Sequence, residues 1–494
     1  MSAITKQNYR GAYHFSPKEK WMNDPNGLVY FEGEYHLFFQ HHPGGMTMGD
    51  MHWGHAVSKD LVTWEELPIA LVPDELGMIF SGSAVVDWNN TTGFFEDQPG
   101  LVAIFTHHLD MPEGQPAVQR QSLAYSKDKG RTWTKYEGNP VLEQDKFIDF
   151  RDPKVFWNKE KSSWVMIVAC GQTVGLYHSP DLINWTFASE FGEGIGSHDG
   201  VWECPDLFQL AVDGTKSDTK WVMLVSIGAD PAFEEGSRTQ YFTGDFDGAV
   251  FTPDEESRSI RWLDYGRDNY AGVSWSDLPE EDGRRLFIGW MSNWMYARQT
   301  PAEGFRGAMT IPRELYLELR NGQTILIQKP AKELEAARIP VLSLKNVSVQ
   351  EINAACAKLH LEAYVIEAEV AHGTSAGFKV KVGAKQQTVV GIDTQTEELY
   401  VDRTASGKHD FHKLFPGRHS AKLTAPGTAY DLHIYVDRSS VEVFSGGGQA
   451  VITDLIFPEP ESTGLAAFAD NEEDLFLSLD IYNLASSTAN GSNQ

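Results

Sequence analysis

Three short stretches constrain the fold of this chain more than anything else in it. SKDLVTW (58–64), SKDKGRTW (126–133) and SPDLINW (179–185) each begin with Ser-x-Asp and close on Trp. Trp64, Trp133 and Trp185 stand 69 and 52 residues apart. That spacing suits units of four short strands better than solenoid repeats. Asp and Trp at such offsets read as turn formers and packing residues, not as chemistry. The segments between them agree. LVYF, EGE and YHLFFQ form a hairpin closed by a three-residue loop containing Gly. LVAIFTHH, KVFW with SSWVMIVAC, KWVMLVSIG and RLFIGWMSNW continue the pattern. Short strands with one recurrent aromatic per unit predict an all-β chain built as a propeller.

The 44 Gly and 23 Pro support turn-rich β structure over helix. At 494 residues, more than one domain is expected. KPAKELEAAR (329–338) alone reads as a helix, and it resembles a linker. Beyond it the pattern changes. KLHLEAYVIEAEV, GFKVKVG and YDLHIYVD-RSS-VEVF-SGGG-QAVITDL alternate apolar and polar residues across tight turns, as half-buried antiparallel strands do. The division expected is a propeller over 1–328, a helical linker over 329–340, a β-sandwich over 341–485 and a polar, disordered tail over 486–494.

Charge and composition narrow the function. A net charge of −28 repels phosphate, so neither nucleic acid nor an anionic membrane is an expected partner. A neutral substrate suits the chain better. Cys170, Cys204 and Cys356 form no CxxC pair and read as small buried residues. No apolar run approaches the length of a membrane span, and MSAITKQNYRGAYHF has no signal-peptide core. The chain as written reads as cytoplasmic, or as secreted if it is a mature form. His41-His42, His107-His108 and HWGH (52–55) suggest metal binding, but positions i and i+3 on a strand face opposite ways. No metal and no cofactor are expected, and oligomeric state is left open.

Three acidic residues share a setting that stands out. Asp24 lies in WMNDPNG, Asp152 in FRDPK and Glu203 in WECPD, about 130 and 50 residues apart. Each has a Pro one or two positions later, which fixes the local backbone. Aromatics flank them all: Trp21, Phe150 and Trp202. Singly, each is what turns are made of. In a propeller, equivalent strand ends converge on the central channel, and three carboxylates meeting there are costly without a compensating use. Glycoside hydrolysis is such a use, needing a carboxylate nucleophile and a carboxyl acid on either side of an oxocarbenium-like centre.

WMNDPNG, YHLFFQHHP, HWGHAVSKDLVTWEE, FSGSAV, FRDPKVFW, VWECPDLF and IGWMSNW, in that order, resemble glycoside hydrolase family 32, the β-fructosidases. VDRSSVEVF carries the resemblance into the second unit, so it covers nearly the whole chain. It implies a five-bladed propeller followed by a β-sandwich, and a retaining enzyme that releases fructose from levan, inulin or sucrose. It makes Asp24 the nucleophile, Glu203 the general acid/base and Asp152 the transition-state stabiliser. Trp21 walls the pocket. Asn23, Gln40, Trp53, Phe80, Ser81, Arg151 and Trp290 match positions lining the fructose subsite, although Trp294 competes with Trp290 within one motif. PGGMTMGDM (43–51) falls where such enzymes vary, which leaves the exact substrate open.

Chemistry supports these roles independently. Arg151 is expected to keep the adjacent Asp152 ionised. Glu203, between Trp202 and Cys204-Pro205, sits among neighbours that hydrate a charge poorly, a setting suited to an acid. Among rivals, SKDKGRTW matches the Asp box of sialidases, but an anionic substrate calls for an arginine cluster this chain lacks. A non-catalytic sugar-binding propeller has no need of all three acids. A fructosyltransferase shares the covalent intermediate and is not separable by sequence.

Overall fold

The computed structural model describes residues 9–96, 98–423, 429–471 and 475–484. The tail expected over 486–494 lies outside them. Helix is confined to short pieces, and everything else is strand and turn.

The opening strand, Lys20–Phe31, is buried along almost its whole length. It pairs antiparallel with Glu34–His42, which pairs with His52–Ser58, which pairs with Glu65–Leu71. The hairpin loop is one residue shorter than the sequence suggested. Glu34 already pairs with Phe31, leaving only Glu32 and Gly33, both at positive φ (47° and 89°). Two left-handed residues close a turn that matches strand twist. Burial falls from the inside outward, for Glu65–Leu71 is mostly exposed or half-buried. An inner strand covered on both faces therefore reads as an unbroken apolar run rather than an alternation.

The same unit recurs. Met78–Asp87, Gly100–Leu109, Val118–Ser126 and Thr134–Lys135 form a second sheet. Phe150–Asn158, Ser163–Cys170, Val174–Ser179 and Thr186–Phe191 form a third. Trp202–Val212, Thr215–Ile227, Arg238–Phe246 and Phe251–Pro253 make a fourth group. A fifth contains Tyr270–Ser274, Arg285–Trp290, Arg313–Arg320 and Gln323–Pro330. A single parallel pairing, Val212 with Leu317, joins the last two. Each of the three repeats is the turn between a third and a fourth strand. Asp60, Asp128 and Asp181 accept bonds from the serine two residues before and from backbone N–H groups ahead. Trp64, Trp133 and Trp185 donate to the carbonyl three residues back.

The first strands of the five groups pack in succession: Lys20–Phe31 on Met78–Asp87, then Phe150–Asn158, Trp202–Val212, Tyr270–Ser274, and back onto Lys20–Phe31. All five are bulged near their beginnings. The register slips between Met22 and Pro25, Ile79 and Gly82, Arg151 and Lys154, Glu203 and Asp206, and Tyr270 and Val273. Bulges re-aim side chains, and every residue of the candidate catalytic set lies in or beside one.

Of KPAKELEAAR, only Glu333–Ala336 is helical; Lys329 and Pro330 end one strand and Arg338 begins another. Strand pairing on both sides leaves room for one turn. A helix the sequence reading missed, Val349–Cys356, is held by a Ser348–Glu351 capping box. From Arg338 on, a six-stranded and a five-stranded sheet enclose an apolar core that includes Ile366, Phe378, Ile434 and Leu479.

Buried ion networks join the two halves. His14 bonds Asp437 at 2.7 Å and Glu442 at 2.8 Å, the two acids of VDRSSVEVF. Arg313 bonds Glu442 at 2.6 Å and Asp264 at 3.0 Å. Arg403 bonds Asp268 at 2.5 Å, and His419 bonds Asp454 at 2.8 Å.

Candidate active site

The bulged starts of the inner strands bring the three predicted acids together. Asp24 takes a hydrogen bond from the Asn23 amide at 3.0 Å and another from the Ser81 hydroxyl at 2.8 Å. The Trp21 indole N–H in turn fixes Asn23 at 2.7 Å. Gln40 and Trp53 pair across the second and third strands of the same sheet, and the Trp53 indole donates to the Phe80 carbonyl at 2.9 Å. The Phe80 ring stacks on His108 with centroids 4.1 Å apart.

Asp152 and Glu203 approach Asp24 from the third and fourth groups. The Cys204 sulfur lies 3.7 Å from Asp24 Oδ2 and 3.6 Å from Asp152 Oδ2. The Cys204 N–H donates to the same Asp152 oxygen at 2.9 Å. Thus one residue touches both aspartates while its neighbour, Glu203, supplies the third acid. The backbone is strained to achieve this: Asp152, Cys204 and Ala271 have φ of 63°, 45° and 54°.

Trp290 is fully buried, its ring centroid 5.9 Å from Trp21 and 4.7 Å from the half-buried Trp294. The indole nitrogen of Trp290 and the amide nitrogen of Gln40 are buried donors without a protein partner. The histidines that suggested a metal part company. His55 bonds His36 at 3.0 Å, whereas His52 bonds the Asp50 carbonyl.

Two electrostatic expectations are corrected. Arg151 does not keep Asp152 ionised: its charge favours the carboxylate from 3.9 Å, but burial outweighs it. Its guanidinium instead bonds Glu203 at 2.9 Å and Asp149 closer still. Burial, opposed by Arg151 and reinforced by the charges of Glu203 and Asp24, raises Asp152 to about 7. Asp24 is also raised, chiefly by burial and then by Glu203, against the bonds from Asn23 and Ser81. Nor is Glu203 surrounded only by poorly hydrating neighbours. One oxygen faces Arg151 and the other accepts the Tyr270 hydroxyl.

Tyr270 escaped the sequence reading, as did Asp149 and Thr106, whose hydroxyl accepts the Asp152 N–H at 3.1 Å. A signal for Tyr270 exists. It opens the fifth inner strand in NYAGVSW, the place corresponding to WMND, FRDP and WECP.

Known proteins resemble this chain along nearly its whole length. Residues 14–330 match the N-terminal domain of glycosyl hydrolases family 32, and residues 333–483 match its C-terminal domain. The chain is 51% identical over 478 residues to a Bacillus subtilis levanase, covering 95% of this chain and 69% of that one. A crystal structure of exo-inulinase from Aspergillus awamori superposes with a TM-score of 0.88 at 35% identity, covering 98% of this chain and 99% of the other. A β-fructofuranosidase from Schwanniomyces occidentalis, complexed with fructosyl-erythritol, gives 0.85 at 30% identity with the same coverage. The chain belongs to glycosyl hydrolase family 32.

Proposed function

We propose that the protein is a retaining hydrolase that releases fructose from β-D-fructofuranosides such as levan, inulin and sucrose. The observation that carries this reading is the meeting of three carboxyl groups from three inner strands around Cys204. Asp24 attacks the anomeric carbon of a bound fructosyl unit, forming an ester as the glycosidic bond breaks. Glu203 gives a proton to the departing oxygen, then takes one from the water that cleaves the ester. Asp152 holds ring hydroxyls, which stabilises the charge developing on the ring. Retention requires the nucleophile and acid carboxyl groups to lie about 5–5.5 Å apart. The Cys204 contact with Asp24, and its adjacency to Glu203, favour that spacing.

Trp21, Asn23, Gln40, Trp53, Phe80, Ser81, Arg151 and Trp290 are assigned to the fructose subsite. The unpartnered donors of Gln40 and Trp290 suit a ligand rich in hydroxyl groups. We read the N-terminal part as a five-bladed propeller over 1–328, followed by a linker over 329–340 and a sandwich over 341–485. The succession of five inner strands favours five blades. Related exo-inulinases are named extracellular, which favours work on polymeric fructan outside the cell.

A time course on levan, inulin and sucrose, with product sizes resolved, tests the reading. Fructose as the sole early product from the polymers indicates attack from chain ends. Equal glucose and fructose at high sucrose indicates hydrolysis, whereas a fructose deficit indicates transfer. No release from any of the three contradicts the proposal.

A further inference from the structure

Outside the carboxylate cluster, a set of buried polar contacts joins residues 264–268 to the strand Ala450–Leu455 at the edge of the six-stranded sheet. The Tyr265 N–H bonds the Val451 carbonyl at 2.8 Å, and the Asp268 N–H bonds the Thr453 carbonyl at 3.0 Å. The Asp264 and Asp268 carboxylates take the N–H groups of Thr453 (2.9 Å) and Leu455 (2.8 Å). Asp454 takes the Arg267 N–H at 3.1 Å. Arg403, fully buried, locks Asp268 at 2.5 Å and donates to the Tyr296 hydroxyl, which also bonds Asp268. Gly266 lies so close to this strand that an added Cβ would sit 2.1 Å from the Thr453 carbonyl oxygen.

Two residues beyond Asp268 is Tyr270. Its ring is buried and its hydroxyl bonds the carboxyl of Glu203. The Ala271 N–H is pinned to the Ser226 hydroxyl at 3.1 Å, so the phenol is held from both sides along the chain. We infer that the C-terminal sheets, through Arg403 and the strand Ala450–Leu455, position Tyr270 against Glu203 and so set the orientation of the proposed acid. The inference rests on the role given to Glu203 above. Tyr270 and Arg403 are positioning residues under it, for neither needs to touch the substrate.

A general scaffold would lower stability when disturbed; a positioning device also changes the chemistry assigned to Glu203. Gly266→Ala pushes the segment off its strand without uncovering a buried charge. Asp268→Asn weakens the Arg403 lock and serves if Gly266→Ala does not fold. Tyr270→Phe removes only the hydroxyl. Each folded variant is assayed for kcat and KM on sucrose, for the pH profile of kcat, and for fructosyl-enzyme formation from an activated aryl fructoside.

The expected result is a drop of about tenfold in kcat on sucrose for each single variant, the size of one charged hydrogen bond. KM should change little, the pH profile should shift, and the aryl substrate should show a smaller loss. In the Tyr270→Phe background, Gly266→Ala should add nothing, because both act through one contact. A pH profile like that of the unaltered protein in folded Gly266→Ala or Asp268→Asn overturns the inference. So does a double variant whose losses multiply. Glu203→Gln separates the two levels: if it still hydrolyses sucrose, the acid role fails. If it is inactive while Gly266→Ala behaves as the unaltered protein does, only the tether fails.

Discussion

The carboxylates joining the two halves of the molecule are almost fully covered, whereas at the site Asp24 and Glu203 are only half-buried, and the two sets are treated differently. At the junction His14, Arg313, Arg403 and His419 stand against Asp437, Glu442, Asp264, Asp268 and Asp454. Their bonds outweigh burial for Asp437, lowered to about 2, and also lower Glu442 and Asp454. Asp268 is the exception: it is raised, because burial exceeds what an Arg403 shared with Asp454 returns. At the site, one arginine faces Asp149 and Glu203 closely and Asp152 only at 3.9 Å. Burial there wins, and Asp24 and Asp152 are both raised. The difference teaches what each region is for. A largely compensated cluster joins two halves; an undercompensated one, at a cost in stability, is the setting the proposed chemistry calls for.

The largest effect expected from breaking this contrast is catalytic. Asp24→Asn should lower kcat on sucrose by on the order of a thousandfold or more, since the covalent step disappears. Steady-state rates measure it, and a variant keeping a tenth of the activity would return WMNDPNG to being a turn. Next is Glu203→Gln. It should lose about 10²–10⁴-fold on sucrose or levan, and much less in the burst of fructosyl-enzyme formation from an activated aryl fructoside. Equal burst losses on both leaving groups would deny Glu203 the acid role.

At the junction, Arg313→Met takes the guanidinium from Asp264 and leaves Glu442 with His14 alone. It should cost about 3–5 kcal/mol in denaturant unfolding, where a cost near zero would show the network to be expendable.

Smaller effects sharpen the contrast through pH. His14 is raised from 6.5 to about 9 by its two acids. Its contribution is therefore full below about pH 6.5 and is lost as pH rises through about 9. Asp437, lowered to about 2, contributes above about pH 4 and ceases to as pH falls through about 2. Asp152 runs the other way. Being raised to about 7, it costs stability progressively as pH rises from about 4 to about 7. Asp152→Asn should thus melt higher than the unaltered protein at pH 7.5 but not at pH 4, while losing activity on both leaving groups. Thermal scans across pH check each sign; a lower melting temperature for Asp152→Asn at pH 7.5 would break the comparison.

Much of this was legible in the residues. The Ser-x-Asp…Trp turns, the apolar inner strands and the three Pro-flanked acids all follow from local rules of turn and strand chemistry. What escaped was what those rules do not govern. The direction of Arg151 is set by a bulge and a positive φ at Asp152, so adjacency in sequence overstated its hold on Asp152 and missed the closer Glu203. Tyr270 has no flanking Pro, and it becomes visible only once the five inner strands are seen side by side. The helix read over 329–338 shrank to one turn because strand pairing claimed both its ends. Asp437 and Glu442 lie in a motif that signals the family, but their partner His14 is more than 400 residues away.

The central claim is that Asp24 forms an ester with fructose, aided by Glu203. The Glu203→Gln variant tests it most directly, because its second step is slow. The variant should be mixed with an activated aryl β-fructofuranoside, quenched in acid within the burst, digested, and its peptides weighed. One fructosyl residue should be attached to the peptide containing Asp24, and none when Asp24→Asn is combined with Glu203→Gln. A burst of aryl alcohol with no attached sugar, or an ester on Asp152, would contradict it.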